Sequence, residues 1–453
     1  MTEPVENNSE TDRIDLLHQV LESGSVRKAT RMLNALHPAE IAHVLQSLPP
    51  PQRKLVWRMV DDTAEGEVLL YLNDDVRDEI IRGMDATEIL AAAEGLDVDD
   101  LADLVQDLPA TVTAEVLSSL DEQRRERLET ALSYPEDSAG GLMNPDVVTV
   151  RPEVTLDVVL RYLRRRKDGL PEPTDNLIVI SRQGRYLGVL YLTDLLTSDP
   201  DDSVAEVMTL DVQPIPADAK ARDVANRCEQ RDLISAPVID ADGRVLGRVT
   251  VDDVMDVIRE EADHQFLGHA GLSEGEDMFA PVLLSARRRA VWLGINLMTA
   301  FLAAWVIGLF EATIEKVVAL AVLMPIVASM GGIAGTQTLT LAIRGIALGQ
   351  LSAKNIRWLV SKEMAVAVLN GLLWALVVAS IAWLWFGNSG IALIIATAIT
   401  VNVLAATFSG ALLPLVIDRF GIDPALAGGV ILTTVSDVVG FLSFLGLATL
   451  FLL

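Results

Sequence analysis

One carboxylate, Asp437, interrupts the last of five long apolar runs, near the middle of the stretch from Pro424 to Leu453. An ionised carboxylate at that depth in a bilayer costs roughly 2.5–3.5 kcal/mol even on insertion scales. No other run offers a Lys or Arg at its middle to neutralise it. Asp437 therefore reads as a cation site on a hydrated path, with Thr433, Thr434 and Ser436 as further oxygen donors; a protonated or structurally paired carboxylate is the alternative. A second group of acids, Asp252, Asp253, Asp256, Glu260 and Glu261, precedes the first run. On a helix Asp253, Asp256 and Glu260 share one face by steps of three and four. Such a face suits a divalent cation or is simply solvated. The runs contain no Cys or His, which argues against zinc or copper; Mn²⁺ and Co²⁺ are not excluded by ligand type.

The runs are Ala290–Phe310, Val317–Ile343, Ala365–Phe386, Ile391–Ile417 and Pro424–Leu453. Each exceeds the ~20 residues that cross ~30 Å of hydrocarbon as a helix, and only helices satisfy their own backbone hydrogen bonds there. One side of the membrane would hold Arg287, Arg288, Arg289, Arg344, Lys354, Arg357, Lys362 and Arg419, the other Lys316 alone. The positive-inside rule then puts the large N-terminal part in the cytoplasm and the C-terminus outside. In the second run Pro325 and the segment Gly331 to Gln337 are expected to loosen a helix and free carbonyls toward a cavity. Asn296 and Asn402 are expected to join helices by hydrogen bonds.

The net charge is −27, and residues 290–453 hold six acids and six bases, so the whole excess lies in residues 1–289. That sign excludes a nucleic-acid binder, which neutralises phosphates with Lys and Arg, and invites cations. One cysteine, Cys228, excludes a disulfide framework and fits a reducing compartment. The polar, acidic start, MTEPVENNSETDR, predicts no cleavable leader.

Residues 10–135 read as successive amphipathic helices. Glu40 to Pro49 returns as Asp100 to Pro109, the mark of a superhelix of similar units. The acid runs Asp61-Asp62 and Asp97 to Asp100 are expected to be solvated faces. From Met143 the period changes to that of strands. Asp146 to Val150, Leu177 to Ile180 and Gly188 to Asp194 form one strand–helix–strand unit; Met208, Asp211, Pro237 to Asp240 and Gly247 to Asp253 form its second copy.

This tandem unit resembles a CBS-domain pair. In that family a Thr/Ser-x-x-Asp after the last strand can hold a nucleotide ribose, and Thr250 with Asp253 match it, whereas the first copy has Tyr191 with Asp194. The order of parts resembles the MgtE family of magnesium channels along nearly the whole chain. Tyr134 to Met143, Gly331 to Gln337, and Asp423 to Ala427 with Thr433 to Gly440 match its junction, second-helix and last-helix motifs. Gly141 stands where that family has Arg, and Ile333 and Gly429 where Asn is usual.

The fold class expected is thus multidomain α plus α/β plus polytopic α-helical membrane. It divides into a helical superhelix at 10–135, CBS units at 140–200 and 201–260, a connecting helix within 252–285 and a five-helix membrane domain at 286–453. The resemblance implies a channel or transporter for Mg²⁺ uptake across the cell (inner) membrane, in a homodimer with the pore on its two-fold axis and Asp437 as pore carboxylate. It implies gating by cytosolic Mg²⁺ at the acidic domains, with Asp253, Asp256, Glu260 and Glu261 joined by Asp232, and a connecting helix that plugs the pore. His264 and Gln265 fall where that family has more acids. ATP is allowed as a ligand at Thr250 and Asp253. The alternatives are a CBS-regulated transporter of Mn²⁺, Co²⁺ or another solute. An intramembrane hydrolase is a further alternative; it would need a second carboxylate or a His–metal set within the runs, and none of the five histidines lies beyond His269.

Overall fold

The computed structural model describes residues 26–453 except 107, 109, 168–169, 172–173, 269, 273–274 and 352–353. Residues 10–25 of the expected superhelix, and Asp107 and Pro109 of its repeat, lie outside the described residues. The chain divides into two compact units, residues 1–262 with 274–280, and residues 263–273 with 281–453.

The first unit opens with short helices from Val26–Leu33 to Glu122–Leu132. Ile41, Ala42, Val44, Leu45 and Leu48 are buried in its core, and so are Leu101, Ala102, Leu104, Val105 and Leu108 sixty positions later. The repeat in sequence is therefore a repeat of one buried helical face. Side chains fix where the helices begin. His37 with Glu40, and Asp85 with Glu88, form reciprocal capping boxes, and Asn73 and Asp121 cap Val76 and Arg124.

Two three-stranded sheets follow. In the first, β1 (Thr149–Val150) pairs parallel with β2 (Asn176–Ile180), which pairs antiparallel with β3 (Tyr186–Tyr191). In the second, β4 (Ile215–Pro216), β5 (Ser235–Ile239) and β6 (Val245–Thr250) repeat that order. The duplication reaches the irregularities: both central strands shift register at the same place, Val179/Ile180 and Val238/Ile239. Both hairpins turn at a glycine of φ 78°, Gly184 and Gly243, the left-handed conformation that glycine adopts freely. Asn176 donates to Ser235, joining equivalent strand starts at 2.8 Å. Gly188 to Asp194, read as strand and turn, divides at Tyr191, after which Leu192, Thr193 and Asp194 begin a helix, Leu192–Thr197.

After β6 the helix Val251–Gly268 runs on, and the chain turns at Gly271, φ 72°. The connecting helix thus ends well short of residue 285, and Pro281 precedes a new helix.

The second unit holds five helices long and apolar enough to cross a membrane, Val282–Gly308, Ala319–Ala347, Ile356–Phe386, Ser389–Ile417 and Pro424–Leu452. The first and third start eight or more residues before the apolar runs do, so Arg287 to Arg289, and Arg357, Lys362 and Glu363, are helical. Long basic side chains can reach back to the interface from such positions. The fourth helix is the most enclosed, burying Ile394, Ile395, Ala398, Ile399 and Val403.

Candidate ion pathway and acidic cluster

In the membrane unit an open groove of about 460 Å³ is lined by Ala328, Ser329, Gly332, Ile333, Thr336 and Gln337 of the second helix, with Thr433 and Asp437 of the fifth. The first six recur at i, i+1, i+4, i+5, i+8 and i+9, and the last two at i and i+4, so each helix contributes one face. Asp437 is half-buried there and makes no hydrogen bond or ion pair with any described residue. Thr433, Thr434 and Ser436 donate their hydroxyls to Gly429, Val430 and Thr433 carbonyls of their own helix. Of these three only Thr433 lines the groove, and Ser436 is fully buried.

The second helix is continuous from Ala319 to Ala347, with Pro325 inside it. The expected loosening at Gly331 to Gln337 does not occur, because the glycines serve packing. A Cβ on Gly331 would lie 2.2 Å from the Asn402 amide nitrogen, and one on Gly335 would lie 2.9 Å from Leu432. Spaced by four, the two glycines let the fourth and fifth helices approach closely. Asn402 joins helices as expected, donating from Nδ2 to the Val327 carbonyl at 2.8 Å. Asn296 does not, since it donates to the Trp292 carbonyl of its own helix.

Glu363, which the sequence reading passed over, is buried. It accepts from the Thr338 hydroxyl at 3.2 Å and from Lys362 at 2.7 Å. Thr338 adjoins groove-lining Gln337, so this carboxylate holds the second helix to the third. The only sequence signal was an acid beside basic residues at a span's edge, which reads as an interfacial flank. His264 faces Asp423 at 2.9 Å, and Asp423 also caps the fifth helix at the Ala425 and Leu426 amides.

In the first unit Asp253 accepts from the Thr250 amide and hydroxyl at 3.2 and 2.9 Å. Burial, then the charges of Asp99 and Asp252, push its carboxyl up to about 8. The partners come from the helix Val98–Gln106. Burial and Asp97 push Asp99 to about 6. Burial, then Asp99 and Asp97, take Asp100 to about 7, and burial, then Asp253 and Glu136, take Asp103 to about 7. Asp99 also accepts from the Asn144 side-chain Nδ2 at 3.1 Å. Asp97 is exposed as expected, but Asp99 and Asp100 are half-buried, and folding sets the run against Asp252 and Asp253. Like charges so placed disfavour ionisation unless a cation joins them. Among the described residues no three His, Cys, Asp or Glu side chains converge as ready metal ligands.

Of the other acids singled out in sequence, Asp256 borders this meeting point through Asp252. Asp256 is raised chiefly by burial. Glu261 lies 3.7 Å from Arg222, and Glu260 is exposed. Asp232 ends the helix Ala221–Arg231 at φ 52°, its amide donating to the Cys228 carbonyl, and is exposed, its carboxylate without a hydrogen bond or ion pair among the described residues. The Thr250 hydroxyl, offered by sequence to a nucleotide, is directed to Asp253. Arg248 is buried close by, and its Nε and Nη2 find no hydrogen-bond partner among the described residues.

A family profile described as a divalent cation transporter, MgtE, matches residues 324–447. The MgtE intracellular N domain matches residues 36–137, and CBS domains match 139–201 and 204–260. The magnesium transporter MgtE of Thermus thermophilus is 32% identical over 96% of this chain and 98% of its own. That of Bacillus subtilis is 27% identical over 96% of each. Among solved structures, the cytosolic domain of the Mg²⁺ channel MgtE in complex with ATP is 33% identical, with TM-score 0.49, over 54% of this chain and 99% of its own.

Proposed function

Because the chain belongs to the MgtE family of divalent cation transporters, we propose that it carries Mg²⁺ into the cytoplasm across the cell membrane, as a homodimer, along the groove that holds Asp437. The observation that carries this reading is an unpartnered, half-buried carboxylate on an open face of a membrane helix. Mg²⁺ takes six oxygens at ~2.0–2.1 Å and gives up water reluctantly, so one or two carboxylates contacting a largely hydrated ion suffice. Two copies on an axis would set two Asp437 charges against the ion's two. The groove is open on one side in a single chain, which suits closure by a second copy. Ile333, 56% exposed on the groove wall, offers the ion's water shell no hydrogen bond. That loss does not separate hydrated Mg²⁺ from hydrated Mn²⁺ or Co²⁺, so passage of those ions is the second reading.

The acids of the first unit supply the regulation. Asp97, Asp99, Asp100 and Asp103 on one side, and Asp252 and Asp253 on the other, repel when no divalent ion is bound and are drawn together when one is. Bound cytosolic Mg²⁺ would thereby lower the flux, with Asp256, Glu260, Glu261 and Asp232 extending the acidic surface. ATP at Thr250 and Asp253 would have to displace the hydrogen bond between them. The N-terminus faces the cytoplasm and the C-terminus the outside.

The test is uptake of Mg²⁺, Mn²⁺ and Co²⁺ by proteoliposomes holding the full chain, with Mg²⁺ stepped on the side bearing the first unit. Saturable uptake that closes as Mg²⁺ rises is expected, and the triple variant Asp253→Asn, Asp256→Asn, Glu261→Gln should close only at higher Mg²⁺. Uptake of none of the three ions would overturn the transport reading. An unchanged closing concentration in the triple variant would overturn the sensing reading.

A further inference from the structure

Arg53, on the helix Pro50–Trp57, is fully buried and bonded on every side. It donates to the Leu45 and Leu48 carbonyls at 3.0 Å each, to Glu79 at 2.6 Å and to Asp277 at 3.0 Å. The first three partners belong to the N-terminal domain, on the helices Pro38–Gln46 and Asp74–Ile81 and in the turn after the former. The fourth lies more than two hundred residues away, in a segment that belongs to the first unit although the chain on both sides of it belongs to the second. Asp277 is itself 5% exposed. Its amide donates to Asp75 at 3.1 Å, and its other carboxylate oxygen accepts from the Phe279 amide at 2.9 Å. The Asp75 amide donates to the Gly275 carbonyl at 3.4 Å. Gly275 passes so near the helix Asp74–Ile81 that a Cβ there would lie 2.7 Å from the Asp74 carboxylate.

The path of the chain gives this anchorage its meaning. Residues 263–273 belong to the membrane unit, residues 274–280 to the first, and from Pro281 the chain belongs to the membrane unit again. The first membrane helix begins at Val282. Four residues, Met278 to Pro281, separate the anchored Asp277 from that helix, so the play is at most about 18 Å less the distance they already span. A helical domain that shifts by more than this must either pull the first membrane helix or break a buried ion pair, and breaking such a pair leaves an uncompensated charge.

We propose that residues 275–280 are a tether, clamped by Arg53 and Asp277, that passes displacements of the N-terminal helical domain directly to the first membrane helix. The coupling is separate from the helix Val251–Gly268, and it rests on the reading that divalent ions at the first unit control flux.

Two full-length variants test it in proteoliposomes and by amide hydrogen exchange. Asp277→Ala releases the clamp and leaves Arg53 its contacts with Glu79, Leu45 and Leu48. Insertion of Gly-Gly-Ser-Gly-Gly-Ser between Ala280 and Pro281 keeps every clamp contact and adds roughly 20 Å of slack. The amides of Asp277, Phe279 and Ala280, which are the hydrogen-bonded ones, are expected to be protected in the unmodified chain and in the insertion variant, and to exchange freely in Asp277→Ala. Both variants should shift the closing Mg²⁺ concentration by about fivefold or more, the lower range of measured couplings between sites, with flux at low Mg²⁺ retained. Unprotected strap amides in the unmodified chain would overturn the proposal. So would closing within a factor of about two of the unmodified chain in the insertion variant, which does not depend on Asp277→Ala folding. If the unmodified chain itself ignores Mg²⁺, the sensing reading falls and the tether with it.

Discussion

Asp437 has no hydrogen-bond or ion-pair partner among the described residues, whereas Glu363 accepts from Thr338 and Lys362 and is buried. Removing a partnered buried group orphans what it held, at about 1–3 kcal/mol for a hydrogen bond; removing an unpartnered one orphans nothing. Glu363→Ala should therefore lower the melting temperature of the full chain in detergent, while Asp437→Ala should leave it unchanged or raise it. A marked loss of folded protein in Asp437→Ala would mean that its carboxylate is structural. Asp437 was legible in the sequence because a lone charge inside an apolar run has few cheap explanations. Glu363 was not, because it stands beside Lys362 where a span begins. Asp99 was misjudged for another reason: a run of acids does not reveal which helix faces it, and only the fold brings Asp252 and Asp253 opposite.

At the scale of elements, Gly331 and Gly335 pack the second membrane helix against the fourth and fifth. An alanine at 331 would place its Cβ 2.2 Å from the Asn402 amide nitrogen. Overpacking of this kind costs typically ~1–3 kcal/mol, so Gly331→Ala should destabilise the membrane helices. Gly446→Ala, where a Cβ meets nothing within 4 Å, is the control, and equal melting of the two variants would contradict the packing assignment. The four-residue spacing of these glycines already held that message, but the same residues also suit an unwound segment, and the period alone does not choose. The duplicated strands were legible down to the hairpin glycines, for turn chemistry is local. The helix that starts at Leu192 was less so, since its first residues also suit a turn. The membrane helices were legible as five and misjudged in length, because their polar first turns carry no apolar signal.

For the whole molecule, charge sets the behaviour. Asp253, Asp99, Asp100 and Asp103 all sit above the ordinary carboxylate value, at about 8, 6, 7 and 7. Between about pH 4 and about pH 8 the folded chain then binds more protons than the unfolded one, so stability is greatest at low pH and falls as pH rises through these values. In EDTA, melting of the first unit within the full chain should drop from about pH 5.5 to about pH 8.5. Added Mg²⁺ should recover it most at the alkaline end, where proton and cation no longer compete. A pH-independent melting temperature in EDTA would contradict the crowding of these acids against one another. The account as a whole turns on one carboxylate in the membrane. Asp437→Asn keeps size and hydrogen-bonding capacity and removes only the charge, so Mg²⁺ flux into proteoliposomes, normalised to correctly folded protein, tests it most directly. Flux near the background of empty liposomes is the expected result; flux equal to that of the unmodified chain would contradict the assignment of Asp437 to the ion path.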